Sequence, residues 1–233
     1  MTASTDLVLI PGLLCTDALY APVIPELSAV ARCRVMDHRR HDSMSAIARA
    51  ILDEAPDRFA LAGLSMGGYI AFEIVRQAPE RVTRIAFLDT MARADMPERI
   101  AARTAAVARA RVEGIEKVSA TLLPQWIHPD RLTDQDLTAR VGKMATDTGV
   151  DAFERQQTAI ATRIDSRPTL RAITVPTLVL VGRQDAVTPV SDSEEIASGI
   201  AGSRLVVIEN CGHLSTMERP QEVAAALRTW LAA

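Results

Sequence analysis

Short apolar runs alternate with helical patterns along most of the chain. The runs are nearly continuous Val, Ile, Leu and Ala, which is typical of parallel strands that are covered on both faces. They predict six strands, over residues 7–10, 33–37, 59–62, 82–89, 177–181 and 204–208. Apolar positions at helical spacing predict helices over residues 43–55, 67–77, 191–200 and 220–231. Because strands and helices alternate, we expect an α/β fold with a doubly wound, mostly parallel six-stranded sheet.

One long segment interrupts this alternation. Residues 93–165 contain no strand pattern, and their apolar positions predict helices near residues 97–111, 114–122, 133–146 and 151–162. Strand–helix alternation resumes after this segment, which argues against a separate C-terminal domain. We therefore expect a core domain of residues 1–92 and 166–233, with residues 93–165 inserted after the fourth strand as a helical cap. A chain of 233 residues is long enough for one domain of this kind.

Composition and charge exclude several classes of function. The chain has 26 basic and 29 acidic residues, a net charge of −3, so it has no basic excess with which to hold a nucleic-acid backbone. No apolar run approaches the roughly 18 residues of a membrane-spanning helix, and the first residues show no secretory signal. We therefore expect a cytoplasmic protein with no nucleic-acid or membrane partner. These patterns do not determine its oligomeric state.

The three cysteines, Cys15, Cys33 and Cys211, are widely spaced and form no C-x-x-C pattern. This spacing predicts small buried thiols rather than a metal or redox site. The sequence shows neither a metal-ligand cluster nor a phosphate-binding loop, so we expect no metal and no cofactor. Aromatic residues make up only 3% of the chain, which favours an aliphatic ligand pocket.

The strongest chemical signal is the segment Gly63-Leu64-Ser65-Met66-Gly67. It directly follows a predicted strand and directly precedes a predicted helix, which is the context that a nucleophile elbow requires. A strand that turns at once into a helix holds the serine in a strained backbone conformation with its hydroxyl exposed. A chance match in a glycine-bearing turn would not account for both flanking elements. Ser65 is therefore the candidate nucleophile.

A catalytic serine needs a base, and the chain has four histidines. His213 lies between the last predicted strand and the last predicted helix, where a loop reaches the carboxyl edge of the sheet. His38 and His41 lie in a polar stretch and look solvated, although they could rim the site because they also follow a strand. His128 lies in the predicted cap beside Trp126. His213 is therefore the preferred base.

The acid that orients the imidazole is expected in another loop at a strand end. Asp185 follows the fifth strand and gives the chain order Ser65, Asp185, His213, which is the order found in the hydrolase architecture that carries this elbow. Asp89, at the end of the fourth strand, is a competitor for which a structural role is the preferred interpretation. Glu209 is less suitable because it precedes His213 by only four residues.

Two backbone amides are expected to form an oxyanion hole. The amide of Met66 directly follows the candidate nucleophile. The first strand ends in Pro11-Gly12-Leu13, and Gly12 would let this loop pass close to Ser65. The amide of Leu13 is therefore the second candidate donor. A Pro-Gly turn alone is weak evidence, and it gains weight from the elbow.

These motifs resemble the α/β-hydrolase superfamily, and the resemblance extends over essentially the whole chain. It rests on Leu9-Ile10-Pro11-Gly12-Leu13-Leu14, Gly63-Leu64-Ser65-Met66-Gly67-Gly68, residues 176–182 with Asp185, and Gly212-His213-Leu214 with Glu218-Arg219-Pro220. The resemblance implies a cofactor-free hydrolase in which the loops of Leu13 and Ser65 meet where the strand order reverses. Many members have His-Gly in place of Pro11-Gly12, so the backbone donor is retained and a side-chain hydrogen bond is lost.

The resulting hypothesis is a carboxylesterase-like serine hydrolase that cleaves a small to medium carboxylic ester, lactone or thioester with water through an acyl-enzyme. Serine at the elbow argues against an epoxide hydrolase or a dehalogenase, which would carry aspartate there. A carbon–carbon bond hydrolase and a cofactor-free perhydrolase or haloperoxidase of the same fold are alternatives. A non-catalytic small-molecule receptor is the alternative from another class, and the intact triad argues against it.

Substrate choice is expected to come from the cap, where the sequence is less informative. The candidate substrate-binding residues are mostly apolar: Leu14, Met91, Trp126, Ile127, Phe153, Val187 and Leu214. Plain core packing would account equally well for several of them. Because Trp126 and Phe153 are the only aromatic residues in residues 93–165, we expect an aliphatic acyl pocket lined by methionines. Arg93 and Arg183 could meet an anionic substrate.

Overall fold

The computed structural model describes residues 5–233 and contains a single six-stranded sheet. The strands are Thr5–Ile10 (β1), Ala31–Val35 (β2), Phe59–Leu64 (β3), Val82–Leu88 (β4), Thr177–Gly182 (β5) and Arg204–Ile208 (β6). Their order in the sheet is β2-β1-β3-β4-β5-β6, and every neighbouring pair is parallel. The prediction of a doubly wound α/β sheet is confirmed.

The central strands are buried on both faces, which explains their continuous apolar sequences. Every residue of β3 and of β5 is buried. β3 runs two residues beyond its predicted end, because Gly63 pairs with Phe87 and Leu64 pairs with Leu88 of β4. The strand therefore continues up to Ser65, and the candidate nucleophile lies at the carboxyl edge of the sheet.

Helices cover both faces of the sheet. Seven of them lie outside the long insertion: Ile24–Leu27 (α1), Met44–Glu54 (α2), Met66–Gln77 (α3), Arg167–Leu170 (α7), Val190–Gly199 (α8), Ser215–Glu218 (α9) and Pro220–Ala232 (α10). Side chains of α2, α3 and α8 share one apolar cluster with the sheet, whereas those of α1 and α10 belong to the cluster on the other face. The chain therefore has two core layers with the sheet between them.

Three helices lie within residues 93–165, between β4 and β5, as expected for a helical cap. They span Pro97–Glu113 (α4), Ile115–Trp126 (α5) and Gln135–Ala161 (α6). The two patterns predicted over residues 133–146 and 151–162 both fall in α6, which is interrupted at Gly149 by a φ of 72°. Among residues 5–233, no helix is long and apolar enough to cross a membrane.

The strand order brings two loops together above the middle of the sheet. β1 lies between β2 and β3, so the chain leaves β1 toward one side and returns to pair with it on the other. The loops that follow β1 and β3 therefore meet at the point where the strand order reverses. A Cβ placed on Gly12 would lie 3.3 Å from the Cβ of Ser65, which measures how closely the two loops approach.

Candidate active site

Ser65 occupies a sharp turn between β3 and α3. Its backbone has φ 55° and ψ −114°, a conformation that is strained for a residue with a side chain. The turn is possible because its neighbours are glycines: a Cβ on Gly63 would lie 2.2 Å from the Gly67 carbonyl oxygen, and one on Gly67 would lie 2.0 Å from the Ile10 carbonyl oxygen. The Ser65 amide donates to the Leu88 carbonyl at 2.9 Å. Surrounding structure therefore fixes the turn that presents the hydroxyl.

A continuous chain of hydrogen bonds connects Ser65, His213 and Asp185. The Ser65 Oγ lies 2.9 Å from His213 Nε2, and His213 Nδ1 lies 2.7 Å from Asp185 Oδ2. An ionised carboxylate can only accept, so Nδ1 carries the proton and Nε2 is free to accept from the serine hydroxyl. The His213 residue is only 3% exposed. The three side chains therefore interact in a site from which most water is excluded.

Backbone and side-chain donors hold the carboxylate of Asp185 in place. Its Oδ1 accepts from the amides of Val187 at 2.8 Å and Thr188 at 2.9 Å, and its Oδ2 accepts from the Thr188 hydroxyl at 2.8 Å. Burial raises the pKa of Asp185, but the adjacent His213 and the Thr188 donors outweigh burial, so the pKa lies below its usual value. Asp185 is therefore an ionised partner for the imidazole.

The pKa of His213 is raised above its usual value. Burial alone would lower this pKa, but the charge and hydrogen bond of Asp185 outweigh burial, and Asp89 and Glu218 act in the same direction. The cationic form of the imidazole is therefore stabilised in this site. A base of this kind accepts a proton from a serine more readily than a free histidine does.

Asp89 lies near these groups but is bonded elsewhere. Its backbone has a φ of 46°, its Oδ1 accepts from the Gly182 amide at 2.9 Å, and its Oδ2 accepts from the Ser215 hydroxyl. Burial and the charge of Asp185 hold the pKa of Asp89 well above its usual value. The residue connects the end of β4 with the end of β5 and with α9, which agrees with the structural role preferred for it.

Two backbone amides beside Ser65 are free, one in the loop after β1 and one at the start of α3. The amides of Leu13 and Met66 donate to no acceptor within residues 5–233, whereas the next amide, that of Leu14, donates to Gln156 Oε1 at 3.2 Å. Leu13 and Ser65 line the same small cavity. The arrangement is suited to binding an oxygen that acquires negative charge next to Ser65.

The other histidines lie outside this chain of hydrogen bonds. The expectation that His38 is solvated is wrong: the residue is 2% exposed, because Gln156 of α6 covers it and places its Nε2 2.9 Å from His38 Nε2. Burial lowers the pKa of His38 to about 4, so the ring is neutral. His41 is exposed, and the His128 amide donates to the Glu218 carboxylate at 2.7 Å.

The predicted substrate-binding residues separate into two groups. A cavity of about 50 Å³ beside Ser65 is lined by Trp126, Val187 and Leu214 among others. The remaining four predicted residues are placed differently, because their side chains are enclosed by other core side chains and do not reach the cavity: Leu14, Met91, Ile127 and Phe153. Among residues 5–233 no methionine lines this cavity, so the expectation of a methionine-lined pocket is wrong.

Sequence reasoning missed several residues that line the cavity, among them two with polar side-chain atoms. Tyr69, one turn into α3, and Arg103 of α4 both do so. The two arginines suggested for an anionic substrate are exposed and already paired. Arg93 pairs with Glu195, and Arg183 pairs with Glu209. The sequence contained one indication of Arg103. It follows Arg99 by four residues and Asp95 by eight, and this spacing places the three side chains on the same side of the chain where a helix begins.

Comparison with known proteins identifies relatives that cover most of the chain. A family model described as alpha/beta hydrolase fold matches residues 7–220. The chain is 28% identical over 184 residues to 3-oxoadipate enol-lactonase 2 of Acinetobacter baylyi, which covers 78% of this chain and 67% of that protein.

Two solved structures are similar over nearly the whole chain. A thermophilic esterase from Thermogutta terrifontis aligns with a TM-score of 0.89 and 28% identity, covering 98% of this chain and 90% of that one. An enol-lactonase from Burkholderia xenovorans LB400 aligns with a TM-score of 0.90 and 25% identity, covering 99% of this chain and 92% of that one.

Proposed function

Because the chain belongs to the alpha/beta hydrolase fold family, we propose that it is a serine hydrolase that cleaves a carboxylic ester or lactone through an acyl-enzyme. The hydrogen-bonded chain from Ser65 through His213 to Asp185, held at a strained elbow, is the observation that carries this proposal. The names of the relatives, an esterase and two enol-lactonases, support the same class of reaction.

The proposed reaction begins when Ser65 Oγ attacks the carbonyl carbon of the substrate. His213 Nε2 takes the hydroxyl proton as the new C–O bond forms, and Asp185 stabilises the resulting imidazolium. The carbonyl oxygen becomes an oxyanion, for which the free amides of Leu13 and Met66 are the proposed donors. His213 then gives its proton to the leaving alkoxide, the old C–O bond breaks, and an ester on Ser65 remains.

Water completes the proposed cycle. His213 Nε2 takes a proton from a water molecule, whose oxygen attacks the acyl carbon of the ester on Ser65. The same two amides bind the second oxyanion, and its collapse returns the proton to Ser65 Oγ and releases a carboxylic acid. Every proton movement therefore passes through one imidazole nitrogen, and the reaction needs only substrate and water.

We further propose that residues 93–165 form a cap that selects the substrate. Arg103, Trp126 and Ile160 all come from this segment, and all three line the cavity beside Ser65. Residues 1–92 and 166–233 then supply the sheet, the nucleophile, the base and the acid. This division assigns chemistry to the core and shape to the cap.

Two measurements test the proposed function. Wild-type protein should release a burst of p-nitrophenol from p-nitrophenyl acetate and should form a covalent adduct at Ser65 with a fluorophosphonate. Ser65→Ala should lose both signals, with kcat lower by on the order of 10⁶-fold. Unchanged hydrolysis by Ser65→Ala would rule out this nucleophile. A ligand-induced thermal shift without any turnover would indicate a receptor instead.

A further inference from the structure

Three guanidinium groups surround one buried carboxylate at the base of the cap. The side chain of Asp95 is fully buried, and its Oδ1 lies 2.7 Å from Arg163 Nη2 and 3.9 Å from Arg99 Nε. Its Oδ2 accepts from Arg103 Nε. One negative charge therefore faces three positive charges in a region with little water, where charge interactions are stronger than at the surface.

Nearby groups occupy two of these arginines. Arg163 is buried, donates to the backbone oxygens of Ile160 and Arg93 at 2.9 Å each, and lies 4.1 Å above the ring centre of Tyr69. Arg99 donates to the Val187 carbonyl at 3.4 Å. Three cations therefore face the single carboxylate of Asp95. The cluster therefore keeps a net positive charge.

Arg103 keeps one guanidinium nitrogen without a hydrogen-bond partner in the described part of the chain. Its Nε is used by Asp95, and its Nη1 donates to Gln157 Oε1 at 2.8 Å. Its Nη2 forms no hydrogen bond to any group within the described part of the chain. The Arg103 side chain is 15% exposed and lines two cavities, so this donor can be reached from them. Arg103 is thus available to an acceptor that is not part of the protein.

Arg103 also lies on the route to the candidate nucleophile. It lines the cavity of about 50 Å³ beside Ser65 and a second, outer cavity of about 180 Å³. Leu13, Trp126 and Val187 line both spaces as well. The rest of the outer cavity is lined by the apolar side chains of Ala102, Ala106 and Leu122 and by the polar side chains of Arg99, Gln125 and Gln157. A molecule that reaches Ser65 from the outer cavity therefore passes this guanidinium.

We propose that the guanidinium of Arg103 binds a carboxylate carried by the substrate, so that the substrate is a carboxylate-bearing ester or lactone. A planar guanidinium matches the geometry of a carboxylate, and the hydrogen bond is charge-assisted. Leu13, Trp126 and Val187, which line both cavities, give an apolar path for the carbon chain between the carboxylate and the reacting carbonyl. This inference rests on the proposed function for the identity of the reacting group, but the anion site can be tested separately.

The hydrolytic test compares two methyl esters that differ only in the terminal group. Monomethyl glutarate carries a carboxylate where methyl pentanoate carries a methyl group, and methanol release reports both reactions. Wild-type protein should show a kcat/KM at least about tenfold higher for monomethyl glutarate, as expected for one charge-assisted hydrogen bond. Arg103→Gln should lower that ratio by about 10- to 100-fold. Arg103→Lys should give an intermediate ratio, because it keeps the charge and loses the planar fork.

A matched control lies on the same helix. Arg109 of α4 is exposed, pairs with Glu113 at 3.0 Å and lines neither cavity, so Arg109→Gln removes the same charge outside the proposed site. Its ratio of the two kcat/KM values should equal that of wild type. An equal fall of the ratio in both variants would show a general effect of net charge and would overturn the proposal, as would a wild-type preference for methyl pentanoate.

A binding test keeps the anion site apart from the proposed function. Glutarate should raise the unfolding temperature of wild-type protein at constant ionic strength, and the shift should disappear in Arg103→Gln. Inorganic phosphate should give a smaller shift, and an equal or larger one would overturn the assignment to a carboxylate. If wild type cleaves no ester but shows the Arg103-dependent glutarate shift, the proposed function fails and the anion site stands. Ester cleavage without any such shift would overturn the anion site alone.

Discussion

The imidazole of His213 accepts a proton from Ser65 in the proposed reaction, and its own protonation state therefore sets the pH dependence of activity. Only the neutral ring can act as the base, so activity is lost as pH falls through the pKa of His213. Because Asp185 raises this pKa above 6.5, we expect the acidic limb of kcat/KM to have its midpoint above pH 6.5, since kcat/KM reports the free enzyme. A pH profile with p-nitrophenyl acetate measures this midpoint.

The charge of Asp185 can be separated from other charges by two variants. Asp185→Asn removes the negative charge beside Nδ1, so the pKa of His213, followed by its ring-proton NMR signal, should fall. The same change should reduce kcat by roughly 10⁴-fold. Glu209→Gln alters an exposed carboxylate that pairs with Arg183 and should leave the pKa of His213 unchanged. An acidic limb well below pH 6.5 in wild type would contradict the assignment of His213 as the base.

The glycine at position 67 is required by a close approach of two backbones. A Cβ there would lie 2.0 Å from the Ile10 carbonyl oxygen, and neither element can move without breaking the sheet. Gly67→Ala should therefore destabilise the protein strongly, at the upper end of the roughly 0.5–3 kcal/mol that is usual for single substitutions or beyond it. Denaturant unfolding of both proteins measures the difference in their free energies of unfolding.

Gly142 provides the matched control for this substitution. It lies within α6, and a Cβ there would meet nothing within 4 Å. Gly142→Ala should leave stability unchanged or raise it by up to about 1 kcal/mol, because alanine favours helix more than glycine does. Equal destabilisation by the two substitutions would show that the close approach at the elbow is not what limits position 67.

At the level of elements, the cap is bonded to the two loops that carry the proposed catalytic groups. The Trp126 carbonyl at the end of α5 accepts from the amides of His213 and Leu214, at 3.0 Å each. Gln156 of α6 accepts from the Leu14 amide at 3.2 Å, and its Nε2 lies 2.9 Å from His38 Nε2. The cap therefore helps to position both the base and the loop of the proposed oxyanion donors.

Gln156→Leu tests the second of these connections. The substitution leaves the buried Leu14 amide without an acceptor and removes the restraint on the adjacent Leu13 amide. We expect kcat to fall by about tenfold with little change in KM, because the donors act on the transition state rather than on bound substrate. Gln135→Leu, at the exposed start of α6, is the control and should leave both constants unchanged. A rise in KM without loss of kcat would indicate a role in substrate binding instead.

Features at strand ends could be predicted from the sequence, because a strand end fixes where a residue lies in space. Ser65, Asp185 and His213 each follow a strand that the apolar runs indicated, and parallel strands bring their carboxyl ends to one edge. The cap offered no such rule. Arg103 is directed to the cavity by the rotation of α4 about its axis, which depends on how three helices pack.

The burial of His38 is a second feature that the local sequence could not predict. Its polar neighbours indicated solvent, yet a glutamine from residue 156, more than a hundred positions later, covers the ring and bonds to it. Burial of a short polar segment is decided by the element that packs over it, and a local pattern contains no information about that element. Long-range packing therefore accounts for most of what sequence reasoning missed in this site.

For the molecule as a whole, the space between cap and core limits the size of the substrate. The cavity beside Ser65 holds about 50 Å³, far below the roughly 300–1,000 Å³ of pockets for drug-sized ligands. Trp126 has the largest of the side chains that line both this cavity and the outer one. We infer that the ring determines how long an acyl chain can be accommodated.

Trp126→Ala should enlarge this space while keeping the backbone carbonyl that holds the His213 loop. Wild type should hydrolyse p-nitrophenyl acetate and butanoate with the highest kcat/KM, and Trp126→Ala should move the optimum to hexanoate or octanoate, because the chain can occupy the volume of the indole. Trp230→Ala is the matched control: this ring is also buried, donates to the Pro176 carbonyl at 3.0 Å and lines neither cavity. It should lower stability without moving the optimum. A common shift in both variants would indicate general loosening of the fold, and an unmoved optimum in Trp126→Ala would show that the length limit is set elsewhere.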